Sequence, residues 1–334
     1  MTGDNAAFGA DSAANFGGRF AWAVDDLTPA DWQFDVPDAA MAEMAAVAAQ
    51  IEGRSVETLA PDNFDWPQTQ QLMGRVRQTL REGVGFALLG RLPVDDWGID
   101  ATRSISWLLM GMLGSVVEQK YNGARIYDVR DMKKPLGHGV RRSITNLEQE
   151  FHTDGGWLPA TPEFIGLACL HQAAQGGMSR VSSLATAHRV LQEESPDLIA
   201  QLYRPLWWDR QAEHAEGDTP CRHEPVFYRT GQSVEARYYD DYVRKGHSLM
   251  DEPLDTATIE ALDAFRAAVE RPEHCFDFFL EPGQIELVNN RAIAHARTKF
   301  EDAGDADRGR HLVRLWLRTE GGTALEAPLV PRAA

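Results

Sequence analysis

Cysteine is scarce: Cys169, Cys221 and Cys275 are the only three in 334 residues. They lie about fifty residues apart, their number is odd and no CxxC occurs, so neither a disulfide framework nor a cysteine zinc site is expected. A reducing compartment fits best. Positive charge is in deficit as well. Lys plus Arg number 33 against 50 Asp plus Glu, a net charge of −17, and that field repels nucleic-acid phosphates and anionic membrane surfaces alike. Long apolar runs are missing: the longest uncharged one, Ile105 to Val117, falls short of the ~20 residues that span a bilayer. The N-terminus has no basic stretch followed by an apolar one, so no signal peptide is expected. A soluble, cytoplasmic protein is the reading. No repeat, low-complexity tract, GxxxxGK or GxGxxG occurs, which removes the common phosphate-cradling loops.

What is there reads as an ordinary globular chain, 43% hydrophobic and 25% charged, long enough to bury a core without metals or disulfides as staples. Residues 1–20, rich in Gly, Ala, Asn and Asp, are expected to be flexible. Residues 21–334 are taken as one domain, with a helical N-terminal part over 21–115. Helices are predicted over 41–51, 68–81 and 101–113, and a short strand over 83–89. The texture then changes. Short β-branched or aromatic segments at 165–172, 180–184, 202–208, 225–229, 234–239, 275–280, 284–288 and 311–318 alternate with turn signals such as QGG, RTGQ and EPGQ. Helical interludes fall within 185–203 and over 255–269. No strand–helix alternation recurs, so a doubly wound parallel sheet is excluded. The expectation is a mostly β fold with flanking helices, a double-sheet jelly roll over about 83–320.

Ten histidines are present, and spacing sorts them. His152-Thr153-Asp154 and His214-Ala215-Glu216 are H-x-[DE] triplets, whose first and third residues share one face of a strand and can grip one cation. Chance alone yields roughly one such triplet. His214 sits in the polar stretch AEHAEGDTP, which reads as a solvated loop. His152 sits in EFHTDGGW, where an extended stub opens into a Gly-Gly turn, a rigid base with open space beyond. A third ligand must come from far along the chain, and His295 in LVNNRAIAHARTKF is the candidate. Two imidazoles and a carboxylate on one face of a metal leave three positions open, the facial triad typical of non-haem Fe(II) oxygenases. Taken alone, His295 could equally pack under a hairpin.

In the segment from Arg310 to Arg318, period two puts Arg310, Leu312, Arg314, Trp316 and Arg318 on one face. His311, Val313, Leu315 and Leu317 take the other, which reads as the core face. The arginine face is either a plain solvent edge or a lumen lining whose guanidinium forks await carboxylates. Arg310 and Arg314 stand ~13 Å apart along a strand, enough to serve two anions.

With these residues in place, the chain resembles the TauD/TfdA family of Fe(II)- and 2-oxoglutarate-dependent dioxygenases. FHTDGGW, QGGMSRVSSL, NNRAIAHARTKFED and RGRHLVRLWLR carry the resemblance, which runs from about Gly83 to Arg318. It implies one catalytic domain on a double-stranded β-helix, with His152, Asp154 and His295 as Fe(II) ligands. It also implies that Arg310 pairs with the distal carboxylate of 2-oxoglutarate, and that Ser179 assists where threonine is commoner. Arg314 matches a position that faces the primary substrate or supports the co-substrate. Iron, 2-oxoglutarate and O2 would together attack an unactivated C–H bond, and Asp154 argues against the halogenase branch, which lacks that ligand.

The substrate is read as a small carboxylate-bearing molecule, an amino acid or natural-product intermediate, to be hydroxylated, desaturated or cyclised. Arg314 and Arg318 suggest its anionic group. Trp157 and Trp207-Trp208 are either pocket walls, even a cage for an amine, or core. Arg237-Tyr238-Tyr239 lies near the active site in the family or is strand packing. His138 and Lys133-Lys134 fit a lid or a solvated loop, and the acidic EDAGDADRG fits a solvated hairpin tip. Rival readings are a catabolic dioxygenase for sulfonates or aryloxyalkanoates, a cupin-like Zn hydrolase or isomerase, and a catalytically silent binding module. A homo-oligomer is the ordinary expectation.

Overall fold

Glycine-rich turns and strands that are apolar on both faces bring this chain into two facing sheets. The computed structural model describes residue 16 and residues 18–135, 141–230, 233–303 and 309–319. In chain order the strands of the two main sheets are β1 (Gln33–Phe34), β2 (Phe86–Leu89), β3 (Ser115–Val117), β4 (Ile126–Val129), β5 (Gln149–His152), β6 (Phe164–His171), β7 (Ser179–Ser183), β8 (Cys275–Phe278), β9 (Ile285–Asn289), β10 (Ile293–Arg297) and β11 (His311–Arg318). The larger sheet runs β1-β2-β9-β6-β11-β3, with β4 also paired to β11, and the smaller runs β8-β7-β10-β5. Only β1 and β2 pair in parallel; the other pairs in these sheets are antiparallel.

Helices cover the outer face of the larger sheet. The single turn α1 (Pro29–Trp32) sets Trp32 in a separate core cluster, against Phe86 and Phe276. The covering helices are α2 (Asp38–Gln50), α3 (Pro67–Glu82) and α4 (Val94–Gly111), packed with helical periodicity: α3 buries Thr69, Leu72, Met73, Val76 and Leu80. Alternation along the strands divides the core. On β9, Ile285 and Leu287 pack with these helices while Val288 turns to the other side; on β11, Leu315 and Leu317 do the former, Leu312 and Trp316 the latter. Gly166 on β6 lets α4 come close, since a Cβ there would stand 2.4 Å from Met110 Sδ. The helices α5 (Leu184–Glu194), α6 (Pro196–Leu202), α7 (Asp240–Leu249) and α8 (Thr256–Val269) come later in the chain. Ser183 caps α5 by accepting from Thr186 N at 2.9 Å, and Asp255 caps α8 by accepting from Thr258 N at 2.8 Å.

Several expectations need correction. β11 is no solvent edge: it sits between β6 and the short strands β3 and β4, with every residue from Leu312 to Arg318 buried. His311 is not core but half-buried, and bonds Asp128 Oδ1 at 2.8 Å. The helix expected at 101–113 begins at Val94 and tolerates a break at Gly98 (φ 75°). The strand expected at 202–208 starts only at Leu206, because Pro196 nucleates α6 as far as Leu202. Strands β3, β4 and β10, the strand Cys221–Glu224 and helix α7 were not anticipated. Phe16 and Phe20 are buried, so the flexible stretch does not extend to them, and residues 1–15 and 17 lie outside the described residues. The centre of the acidic tip, 304–308, and His138 also lie outside them. Among the described residues no helix is long and apolar enough to cross a membrane.

This packing has two testable consequences. Gly283, at φ +85°, exchanges backbone bonds with Leu92 and Cys169, and a Cβ would stand 2.0 Å from Leu92 O. Gly283→Ala is expected to destabilise by about 3 kcal/mol, read from urea unfolding. His188 is buried against Phe227, its Nε2 2.8 Å from the Tyr203 hydroxyl, and burial pushes its pKa down to about 4. Above pH 6.5 the ring is neutral folded and unfolded alike; below it the unfolded chain takes the proton first, so stability falls toward pH 4. His188→Gln should lose less stability than wild type between pH 7 and pH 5.

Candidate active site

His152 and His295 stand directly opposite each other on β5 and β10, which puts both side chains on one face of the smaller sheet. Their ring centroids are 4.3 Å apart. His152 Nδ1 donates to Glu150 O at 2.8 Å, which fixes the tautomer and leaves Nε2 with its lone pair. The Gln149 amide donates to that lone pair at 2.8 Å. Beyond His152 the chain leaves the sheet. Thr153 N donates to Tyr238 O at 2.6 Å and its hydroxyl accepts from Tyr238 N at 2.8 Å. Asp154 N donates to Asn290 Oδ1 at 2.8 Å, and Asn290 Nδ2 donates to Asp154 O and Pro162 O. The Gly-Gly turn is sterically required: Gly155 holds φ +66°, and a Cβ on Gly156 would stand 2.8 Å from Trp208. Arg237 clamps the turn through Gly156 O and Leu158 O.

One donor atom from each of His152, Asp154 and His295 then lies within 4.8 Å of the others, and all three residues are buried. Asp154 Oδ1 accepts from Arg314 Nη1 at 3.1 Å and Oδ2 from Trp316 Nε1 at 2.9 Å. Burial alone would raise the Asp154 pKa; the Arg314 guanidinium overrides it and holds the carboxyl well below the usual carboxylate range. Burial pushes His295 down to about 3, so its ring is neutral and its lone pair is free to ligate throughout the physiological range. Its Nδ1 has no hydrogen-bond partner among the described residues. Two imidazoles and one ionised carboxylate are the donor set of a non-haem iron centre.

His152 and His295 line a cavity of about 30 Å³ together with Ser179, Glu286, Arg297, Arg310 and Arg314. Most buried arginines here are already engaged: Arg297 donates to Thr145 O and Leu147 O, Arg291 to Thr161 O, and Arg141 pairs with Glu213 at 2.7 Å. Arg310 differs from these in lining the cavity with no side-chain acceptor among the described residues; Arg318 also keeps unpartnered nitrogens, but away from it. Its guanidinium is buried over the Phe300 ring with Nη1 unpartnered among the described residues, an arrangement that fits an incoming carboxylate. Gly177 makes room for it, since a Cβ there would press on Arg310 Nε at 3.1 Å.

Comparison with known proteins decides the class. A family model described as taurine catabolism dioxygenase TauD, TfdA family, matches residues 52–316. The chain belongs to this family. It is a dioxygenase whose cofactors are iron and 2-oxoglutarate. Over 314 residues it is 27% identical to FR-33289 synthase of Streptomyces rubellomurinus, covering 91% of each chain. To the L-lysine 3-hydroxylase of Catenulispora acidiphila it is 29% identical over 188 residues, 54% of this chain and 48% of that one. Asparagine oxygenase, solved with Fe(II), (2S,3S)-3-hydroxyasparagine and succinate, superposes with a TM-score of 0.65 at 19% identity, covering 86% of this chain and 94% of that one. The non-heme iron oxygenase OrfP, solved with Fe and alpha-ketoglutaric acid, gives 0.63 at 15% identity over the same shares.

Not every expected site residue of the dioxygenase gathers in the cavity. Arg314 lines it, yet it is committed to Asp154 and to Gln119 Oε1 at 2.9 Å. Arg318 lies four residues on, about 13 Å along the strand, where its ionisable neighbours are Arg291 and Tyr228. Trp157 is buried between Trp316 and Tyr242 beneath Arg141, a wall behind Asp154 and not a cavity lining. Trp208 is core; Trp207 stacks on His223 and bonds Glu252 at 2.9 Å, so the pair forms no cage. Tyr239 flanks His152, centroids 5.0 Å apart. Glu286, Gln149 and Arg297 were missed; the polar Glu inside the apolar run IELV was the available signal. Asn290→Leu is expected to cost about 3 kcal/mol in unfolding experiments, because it strands buried backbone groups, and to weaken Fe(II) binding roughly tenfold or more in metal titrations by loosening Asp154.

Proposed function

We propose that the enzyme hydroxylates a small zwitterionic or carboxylate-bearing molecule, an amino acid or natural-product intermediate, as one catalytic domain on a double-stranded β-helix in the cytoplasm. His152, Asp154 and His295 would hold the iron, and Arg310 with Ser179 the distal carboxylate of 2-oxoglutarate. The observation that carries this reading is that the two histidines, whose donor atoms cluster with one from Asp154, line one cavity with a buried guanidinium whose Nη1 has no acceptor among the described residues. A cupin-like zinc hydrolase would have no use for that guanidinium.

When bound, iron and 2-oxoglutarate would supply the means of activating dioxygen, the oxidant, for attack on an unactivated C–H bond. The protein's part is position. Arg314 and Trp316 fix both oxygens of Asp154, His152 is oriented by Glu150 O, and the buried surround keeps bulk water out.

Support for the substrate class comes from a second, larger cavity of about 1150 Å³ that also reaches Arg310. It is lined by both signs of charge, Lys120 and Lys134 with Asp100 and Asp302 among them, as a zwitterion requires. Lys133, expected in a lid or a solvated loop, is among its lining residues and pairs with Asp131 at 2.7 Å. The similarity to a lysine hydroxylase and to an asparagine oxygenase points the same way. The acidic overall charge fits a small-molecule partner and not nucleic acid.

Anaerobic titration of the protein with Fe(II) and 2-oxoglutarate should produce a weak visible charge-transfer band. His152→Ala and Asp154→Ala should abolish it, whereas Arg310→Gln should keep it at saturation but raise the 2-oxoglutarate needed by about 10- to 100-fold. A band that persists in both ligand variants would refute the assignment. Succinate production across a panel of amino acids then reads the substrate.

A further inference from the structure

Glu286 is a carboxyl group at the end of the cavity where the co-substrate's own carboxylate is expected. It is the second residue of β9, 2% exposed, on the face turned toward the smaller sheet, and its Oε2 accepts from Ser179 Oγ at 2.8 Å across the gap between the sheets. Arg310 is the nearest cation, close enough to act on it electrostatically yet without a direct ion pair. Any role for Glu286 toward the co-substrate rests on the assignment of Arg310 and Ser179 to the distal carboxylate of 2-oxoglutarate.

Once that carboxylate enters, one guanidinium faces two acids in a space with little water. Two carboxylates sharing such a site cannot both stay ionised. Hydrogen-bond supply is limiting too. Ser179 owns a single hydroxyl proton, already given to Glu286, and cannot give it to a second acceptor. A proton on Glu286 resolves both conflicts. The acid can then donate, either directly to the incoming carboxylate or to Ser179 Oγ, which turns its own hydroxyl outward.

We infer that Glu286 is a positioning residue of the co-substrate site, which takes up one proton as 2-oxoglutarate binds and reads its distal carboxylate as a hydrogen-bond donor. The pocket prepares it for this. Burial pushes the Glu286 pKa up to about 7, against the opposing pull of Ser179 and Arg310. Its surroundings include other ionisable groups. Strand β11 brings Arg310 and Arg314, β10 brings His295 and Arg297, β5 brings His152, and β6 brings Cys169, whose thiol is pushed by burial up to about 12. Strand β2, paired to Glu286 through Leu88, brings no ionisable group.

The test is calorimetric binding of 2-oxoglutarate to the Fe(II)-loaded enzyme without oxygen, between pH 6 and 8.5, in buffers of differing ionisation enthalpy. A 2-oxo monoacid such as 2-oxobutanoate is the control, since it chelates the metal equally but lacks the distal carboxylate; titration of the histidines or of metal-bound water affects both acids alike. Above pH 7 the diacid should take up close to one proton more than the monoacid, and its affinity relative to the monoacid should fall by roughly tenfold per pH unit. Glu286→Gln, an amide that donates at every pH, should flatten the dependence while retaining the preference for the diacid. Equal proton uptake by the two acids, or a pH dependence that survives in Glu286→Gln, would overturn the inference. The wild-type series decides it even if the variant folds poorly. Arg310→Gln separates the two levels: if it leaves the preference for the diacid intact, the co-substrate assignment itself falls, whereas lost preference combined with no proton uptake in wild type sinks the role of Glu286 alone.

Discussion

The site depends on the way Asp154 is held. Its backbone is locked by the amide of Asn290, which bonds both its N–H and its carbonyl, and its two carboxylate oxygens are taken by Arg314 and Trp316. Asn290 comes directly after β9 and Arg314 lies on β11, both of the larger sheet, whereas Asp154 extends from β5 of the smaller. The carboxylate therefore ties the two sheets together at the point where the metal would bind. A buried anion is costly unless it is paired and fully hydrogen-bonded, and here the pairing is complete without using up the imidazoles. The same contacts that stabilise the charge aim it.

Arginine serves three distinct purposes in this interior. Arg237, Arg291 and Arg297 act as braces, donating to backbone carbonyls of the irregular segments around the HTDGGW turn. Such segments lack strand partners, and a guanidinium with five donors satisfies several carbonyls at once. Arg314 neutralises an anion. Arg310 does neither: it lines the cavity shared by the two histidines with its Nη1 open, where a ligand can bring the acceptor. Neutral histidine at position 295, ionised Asp154 and a Glu286 that titrates near neutrality are three responses of ionisable groups to one dry cavity, set apart by which partner each was given.

Much of this was legible in the chain itself. His152, Asp154 and His295 were recognisable because a strand presents residues i and i+2 on one face and because EFHTDGGW carries its own turn. The helix α3 and the strands β6 and β9 declared themselves through hydrophobic period. β3, β4 and the strand Cys221–Glu224 did not, being short and of mixed polarity, with strand character conferred by the edge they complete. The eventual partners of the β11 arginines were equally hidden, since alternation assigns a face but says nothing about what lies opposite it.

Local chemistry in the sequence determined the ligand types, the turn that presents one pair of them, and the absence of disulfide staples or phosphate-binding loops. Only the tertiary structure decided that His295 stands across from His152, that Arg314 is committed to Asp154 while Arg310 remains open, that Arg318 and Trp157 stay outside the cavity, and that Glu286 enters it. The physical reason is that strand register and sheet pairing bring together residues more than a hundred positions apart. Periodicity along a segment fixes the direction of a side chain, whereas its partner is set by how distant segments pack.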